Sequence, residues 1–341
     1  MKKFDTVIWV SDFSLSTGEG ILANKFINIL YRNNKFKNAL IKSFESEFAY
    51  SKKNIIKSVP IKNNFIHKYI APFYGVYFLL KHASRKKIIY VNYLPLWNFF
   101  IFLLLPKKTI LGPITGGSYD GPTSNINLFI RKYIFPIFYR ISLRIIYKKY
   151  NNFFFSTELC KKYVDKKFYK KTLFNFVFIF FKRTYKKKKI KFDIIFYNRN
   201  HPLKKTKSLF KILVNLKNKF SICVFGDYLN FFNNFGFMSK NKVLNLLNKT
   251  KSAFSSSENL FSLFSIDCLN NRVYIFYDKK IDINKDYKSK YFIPVNYENN
   301  EIIQKKIIKL SKSAHYSVND SVFENYVKNK KKDISNFIKN L

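Results

Sequence analysis

Short apolar runs alternate with amphipathic stretches along most of this chain. Phe4 to Val10 reads as a first β-strand. The polar loop from Ser11 to Glu19 leads to a helix from about Gly20 to Arg32, with Ile21, Phe26, Ile27 and Leu30 on one side. Asn38 to Ser43 predicts a second strand. Lys87 to Val91 (KIIYV) predicts a later one, followed by an apolar helix near Trp97. Thr109 to Leu111 is a short strand ending at Gly112-Pro113. A long helix from about Asn125 to Tyr150 follows, with Pro136 as a point for a kink, and then a strand from Asn152 to Phe155.

The pattern breaks at residues 182–191, KRTYKKKKIK, a basic run with no core periodicity, which reads as a linker. It then restarts. Strand Phe192 to Tyr197, helix Leu203 to Leu216 and strand Ser221 to Phe225 precede Gly226-Asp227. Helix Lys240 to Asn248, strand Ser252 to Phe254, a polar turn, a second helix and strand Arg272 to Tyr277 come next. A late strand, Tyr291 to Val295, precedes a helix from about Glu298 to Lys312. Strands separated by helical patterns indicate parallel sheets with right-handed crossovers, so the class is α/β. The expected organisation is a domain at 1–181, the linker at 182–191, a second domain at 192–314 and a helical tail at 315–341.

Composition sharpens this picture. The chain has 341 residues, enough for two domains with sizeable cores, and 47% of them are hydrophobic, which excludes disorder by composition. The net charge of +43 invites a nucleic-acid reading. Against it, only 8 of the 63 basic residues are Arg, while Lys, Asn, Ile, Phe and Tyr are all abundant, as AT-rich codons would produce. Nucleic-acid readers favour the forked guanidinium. The expected partners are therefore anionic small groups and membranes, with no nucleic acid. Cys160, Cys223 and Cys268 fit no metal spacing and suggest buried thiols in a reducing compartment. The N-terminal residues do not read as a signal peptide, and no apolar run reaches spanning length. The runs Leu94 to Leu105, Tyr133 to Tyr150 and Leu173 to Phe181 read either as core or as a basic, aromatic surface on an anionic membrane.

Several clusters could carry chemistry. Ser16-Thr17-Gly18-Glu19-Gly20 follows the first strand and opens a helix. Gly18 and Gly20 would let backbone approach a phosphate, or Thr17 would simply cap the helix. Gly112-Pro113-Ile114-Thr115-Gly116-Gly117 ends a strand of the first half, and Asn92 ends another. Both positions border the crevice of a parallel sheet. In the second half Arg199 and Lys204, or Lys205, follow the first strand, where cations could face a phosphate. The stretch Ser255 to Phe276 sets Ser256, Ser257, Glu258 and Asn259 between a strand and a helix carrying Asp267. The plain alternative there is a helix capped by Ser256 or Ser257. The four histidines share no visible site, and no metal cluster or nucleophile elbow is present in the sequence.

This layout resembles the retaining glycosyltransferases of family 4, whose donor signature reads roughly Ser-x-x-Glu-Gly-Phe-Gly-x-x-x-x-Glu-Ala. The family has seven residues between its two glutamates, where Glu258 and Asp267 have eight, and Asn259 and Phe261 replace its glycines. The family's Gly-Arg followed by lysine five positions later matches Asn198, Arg199 and Lys204. The resemblance implies two Rossmann-like domains facing each other across a cleft (the GT-B fold). It also implies sugar transfer from a nucleotide sugar to an acceptor hydroxyl, without a cofactor or an essential metal. Arg199, Lys204 and Glu258 would be catalytic. Gly18, Gly20, Ser257, Asn259 and Asp267 would bind the donor. Asn92, Gly116 and Gly117 would lie on the acceptor side. Family acceptors are glycan or lipid-linked intermediates of surface polysaccharide such as lipopolysaccharide. The expected location is cytoplasmic, peripheral on the inner face of the plasma membrane. Two rival expectations are a catalytically inactive GT-B-like binding protein and a basic nucleic-acid-binding protein.

Overall fold

Each half of the chain builds its own six-stranded sheet. The computed structural model describes residues 4–13, 15, 17–43, 47–50, 65–92, 94–116, 125–183, 189–199, 206–255, 260–279, 289–297, 299–312 and 318–341. They form two compact units, one of Met1–Phe176 with Lys332–Leu341, the other of Val177–Lys331.

The first unit runs β1 (Thr6–Val10), α1 (Gly18–Arg32), β2 (Ala39–Lys42), β3 (Glu47–Tyr50), α2 (Phe65–Lys81), β4 (Lys87–Val91), α3 (Phe99–Leu104), β5 (Ile110–Ile114), α4 (Ile126–Phe129), α5 (Phe135–Lys149) and β6 (Phe153–Phe155). Its strand order is β3-β2-β1-β4-β5-β6, parallel except for the β2–β3 pair. All five β1 residues are buried, as expected for a parallel strand covered on both faces. Val7, Trp9, Ile88, Tyr90 and Leu111 form one core with Leu79 of α2, Phe102 of α3 and Leu143 of α5. Elsewhere in the unit, the Phe26 ring of α1 meets Phe154, which also meets Phe337 near the C-terminus.

Local chemistry sets the ends of these elements. Thr17 caps α1, its Oγ1 accepting from the Gly20 N–H at 3.0 Å, so the helix begins two residues earlier than expected. Asn125 caps the helical run before α5, and a π-helical turn, Ile130–Ile134, separates α4 from α5. Pro136, at the start of α5, cannot donate to the turn before it, and the wider turn accommodates that loss. β5 does not stop at Gly112-Pro113, as the sequence suggested, but continues through it to Ile114. Gly112 has φ +136, and a Cβ there would meet the Phe154 carbonyl oxygen at 2.6 Å. Its lack of a side chain lets β5 pass close to β6. Neither β3 nor α2 was expected from the sequence.

The second unit runs β7 (Phe192–Asn198), α6 (Thr206–Leu216), β8 (Ile222–Gly226), β9 (Asn233–Asn234), α7 (Lys240–Leu247), β10 (Thr250–Phe254), α8 (Leu263–Asn270), β11 (Tyr274–Asp278), β12 (Phe292–Val295) and α9 (Asn300–Lys312). The order is β12-β11-β10-β7-β8-β9, parallel throughout. The last helix, α10 (Ser321–Asn340), is divided between the units. The division at Phe176/Val177 falls ahead of the basic run read as a linker, and Arg183 of that run is built into the second unit. Its guanidinium pairs with Asp320 at 2.6 Å and Glu324 at 2.9 Å and lies over the Tyr291 ring. Leu173 to Phe181 is core rather than membrane-facing surface: Phe174, Phe176, Val177 and Phe178 are all buried. Among the described residues no helix is long and apolar enough to cross a membrane.

Candidate active site

A parallel sheet offers a ligand the crevice outside the carboxyl ends of its strands, where strand order reverses. In the first unit the chain builds outward from β1 through β2 and β3, then returns to place β4 on β1's other side. In the second it builds from β7 to β8 and β9, then places β10 on β7's other side. The switch points are therefore the carboxyl ends of β1 and β4, and of β7 and β10.

Asn92 closes the first switch point. It is fully buried, with φ +46, a left-handed conformation that Asn tolerates. Its Oδ1 accepts from the Asp12 N–H at 3.2 Å. Its Nδ2 donates to the Asp12 carbonyl at 2.6 Å and the Glu19 carbonyl at 3.0 Å. The side chain thus ties the end of β4 to the loop after β1 and to the first turn of α1. Around it, Thr17 Oγ1 donates to Asp12 Oδ2 at 2.5 Å and Thr115 Oγ1 donates to Glu19 Oε1 at 3.2 Å. Gly18 is exposed and Gly20 buried in the first turn of α1. Gly116 lies just past β5, where a Cβ would run into the Cys160 sulfur. Gly117 lies outside the described residues.

At the second switch point two buried polar atoms have no partner among the described residues. Asn198 and Ser255, at the ends of β7 and β10, are buried, and neither Asn198 Oδ1 nor Ser255 Oγ makes a hydrogen bond there. The Asn198 Nδ2 group is used, donating to the Asp227 carbonyl at 3.0 Å. Tyr297 fixes the end of β10 by donating from its hydroxyl to the Ser255 and Phe276 carbonyls. Burying a polar atom without a partner costs about 1–3 kcal/mol, so such atoms at a switch point are suited to a polar ligand. Arg199 follows β7 immediately and is exposed. Lys204, Lys205 and His201, like Ser256, Ser257, Glu258 and Asn259, lie outside the described residues.

Asp267 lies on a helix, as expected, but on a shorter one. α8 begins only at Leu263, capped by Ser262, whose Oγ accepts from the Ser265 N–H at 3.1 Å. Asp267 is therefore inside the helix and buried, and both its carboxylate oxygens accept from Lys240 Nζ, at 2.7 and 2.6 Å. Burial pushes its carboxyl above the usual range, opposed by the charge and hydrogen bonds of Lys240.

No protein-family profile and no curated protein matches the sequence. Solved structures do. A glycosyltransferase from Rickettsia africae aligns over 99% of this chain and 98% of its own, at 14% identity and a TM-score of 0.54. A T4 phage BGT mutant in complex with UDP-glucose aligns over 98% of both chains, at 15% identity and a TM-score of 0.50. The fold is that of the GT-B glycosyltransferases. Staphylococcus aureus TarM, in a complex containing UDP, aligns over 76% of the chain with 14% identity and a TM-score of 0.49, and the chain spans about half, 54%, of TarM's length.

In this GT-B chain Gly18, Gly20 and Asn92 fall at the first switch point and Arg199 at the second, while Gly116 lies past β5 and Asp267 within α8. Gly18, Gly20, Asn92 and Gly116 belong to the first unit, and Arg199 to the second. The Lys240 partner of Asp267 and the Asp12–Glu19–Thr115 group around Asn92 were not singled out in the sequence. The only local signal for Asp12 and Glu19 was their place in the polar loop after a first strand. Among the described residues no three His, Cys, Asp or Glu side chains are grouped to hold a metal ion.

Proposed function

We propose that the protein is a glycosyltransferase, of hexosyltransferase type, moving a sugar from a nucleotide-sugar donor to an acceptor hydroxyl. The observation that carries this reading is the second switch point, where buried Asn198 Oδ1 and Ser255 Oγ, without a partner among the described residues, lie at strand ends, Arg199 directly following the first of them, on a GT-B fold. The T4 phage neighbour bound to UDP-glucose supports the same donor class. In the reaction the bond between the sugar's anomeric carbon and the diphosphate breaks, and a bond to the acceptor oxygen forms. The departing diphosphate gains negative charge. Arg199, with Lys204, is placed in sequence to stabilise it, which lowers the barrier because the charge develops only in the transition state. The acceptor oxygen attacks the anomeric carbon from the face the diphosphate leaves, so configuration is retained, and its proton passes to the departing phosphate, without a metal. Glu258, Ser257 and Asn259 would bind the donor's hydroxyls, and the glycine-bearing start of α1 would lie on the diphosphate side. The acceptor is a glycan or lipid-linked intermediate of surface polysaccharide.

Thermal-shift screening of the purified protein against UDP-, GDP-, CMP- and dTDP-sugars tests the reading, because a native-state ligand raises the melting temperature. One sugar nucleotide should stabilise the protein and be consumed when an acceptor is present. Stabilisation without turnover against an acceptor panel would favour an inactive binding protein. Salt-sensitive DNA or RNA binding with no response to any sugar nucleotide would favour the reading suggested by the charge of +43.

A further inference from the structure

A surface helix of a soluble protein usually turns its apolar face inward and its polar face to water. Three helical segments of the first unit do not. On α2 the side chains of Ala71, Val76, Phe78 and Leu79 face the core, yet Ile70, Phe73, Tyr74, Tyr77 and Leu80 are exposed on the other side. Every residue of α3, FFIFLL, is apolar; Ile101 and Phe102 are buried, and Phe100, Leu103 and Leu104 are exposed. Between α4 and the first turn of α5, Ile126, Phe129, Tyr133, Ile134 and Ile137 are exposed.

These side chains belong to one face of the unit. α2, α3 and α5 share one core over one side of the sheet, with α2 packed against α3 and α3 against α5. The arrangement is fixed: Tyr150 donates from its hydroxyl to the Phe102 and Leu105 carbonyls, and Lys149 Nζ to the Phe102 and Leu103 carbonyls. These bonds satisfy the C-terminal carbonyls of α3 and hold its outer side chains outward.

The chain that builds this face carries charge almost entirely of one sign. Between Phe48 and Thr157 the sequence holds a single acidic residue, Asp120, which lies outside the described residues. Arg140, Arg144 and Lys148 continue the exposed side of α5 beyond Ile137, and Lys107 and Lys108 follow α3. Exposed apolar side chains beside a cationic border match the apolar boundary and anionic headgroups of a lipid bilayer. A second copy would bring like charges together. A nucleic acid would meet the cations but leave the aromatic and aliphatic centre in water.

We infer that the outer face of α2, α3 and the 126–148 helical segment is a docking surface for anionic membranes. To the runs Leu94 to Leu105 and Tyr133 to Tyr150, which the sequence offered as such a surface, it adds the outer face of α2. In the transferase reading, on which this clause rests, it would hold the first unit where a lipid-linked acceptor is presented.

The test is co-sedimentation with vesicles of phosphatidylglycerol and phosphatidylcholine against vesicles of phosphatidylcholine alone. Three proteins are compared: wild type, Phe100→Glu/Ile137→Glu, and Arg140→Ala/Arg144→Ala/Lys148→Ala. All substituted side chains are exposed, and melting temperatures check folding. Wild type should bind the anionic vesicles at least about tenfold more tightly than neutral ones. The double glutamate variant should lose about tenfold or more, even at low salt, and the triple alanine variant should lose the preference for anionic lipid. Equal wild-type binding to both vesicles, no binding to either, or variants binding as wild type would overturn the proposal. So would a wild-type dimer in light scattering that the glutamate variant dissociates, since the face would then be covered by a second copy. Sugar-nucleotide stabilisation measured on the same proteins separates failure here from failure of the transferase reading.

Discussion

In the proposed transferase, Arg199 is the residue that would face the departing diphosphate. Arg199→Ala should leave the melting temperature close to wild type, because the side chain is exposed, and lower kcat by about 2.7–4 kcal/mol in the barrier. A folded variant with wild-type turnover would remove it from the site. The two acidic candidates should separate by readout. Asp267 is held on both oxygens by Lys240, so Asp267→Asn should cost about 1–2 kcal/mol of stability in denaturant unfolding. Glu258→Gln should instead weaken donor use. The reverse pattern in kinetics and melts would mean that the acidic signature is misassigned. The thiols give a pH prediction. Burial pushes Cys160 and Cys223 up to about 12, well above the ordinary thiol value of about 8.5. An acid whose folded pKa is raised contributes stability that is lost as pH rises past its unfolded value. Stability should therefore fall above about pH 8.5, by at most about 1.4 kcal/mol per pH unit for each thiol. At about pH 8, below that ordinary thiol value, the native protein should resist thiol reagents that label the unfolded chain rapidly. Fast native labelling would show that these thiols are not buried as the structure has them.

At the scale of elements, close approach and buried pairs decide what holds. Gly75 lets α2 lie against the sheet, because a Cβ there would meet the Trp9 ring at 2.5 Å. Gly75→Leu should cost about 1–3 kcal/mol by forcing α2 off Trp9, seen as a lower unfolding midpoint and altered Trp fluorescence. In the second unit Asp320, at the start of α10, accepts from Arg183, from the Ser289 hydroxyl at 2.6 Å and from the Lys290 N–H at 2.8 Å. Asp320→Ala should cost about 3–5 kcal/mol, since it leaves the largely buried Arg183 without its main counter-charge. Glu324 is half-exposed, and Glu324→Ala should cost less than about 1 kcal/mol. Equal losses in the two variants would contradict the burial difference on which this ranking depends.

For the whole molecule the dominant physical fact is the charge of +43. Like charges repel more strongly in the compact state than in the expanded one, and salt screens them over a Debye length that falls from about 30 Å at 0.01 M to about 8 Å at 0.15 M. The melting temperature at pH 7 should rise by a few degrees over that range, about 2–4 °C for each kcal/mol of repulsion relieved. A melting temperature indifferent to salt would show that the charge is dispersed enough not to oppose folding. The same excess of lysine favours anionic ligands of any kind, so it does not by itself choose between donor phosphate, membrane and nucleic acid. The choice rests on where particular side chains stand: Arg199 at a strand end, and the apolar outer faces of α2 and α3 inside a cationic border.

The alternation of strands and helices was legible along the chain, because strand and helix periods are local and survive in a single sequence. That pattern placed most of the second unit's strands and helices within a few residues of their observed ends, and it placed Arg199 directly after β7. It missed α2 because a helix apolar on both its inner and outer faces loses the 3.6-residue contrast by which helices are read. The serine cluster read as the start of a helix, yet Ser262 is the cap. Roles that depend on distant partners emerged with the fold. Asn92 is joined to Asp12 and Glu19 across 80 and 73 residues, and Asp267 to Lys240 across 27. Strand order likewise sets the switch points, and no local pattern encodes which strand lies beside which. That is why the same asparagine can read as a site residue in the sequence and act as a clamp in the fold.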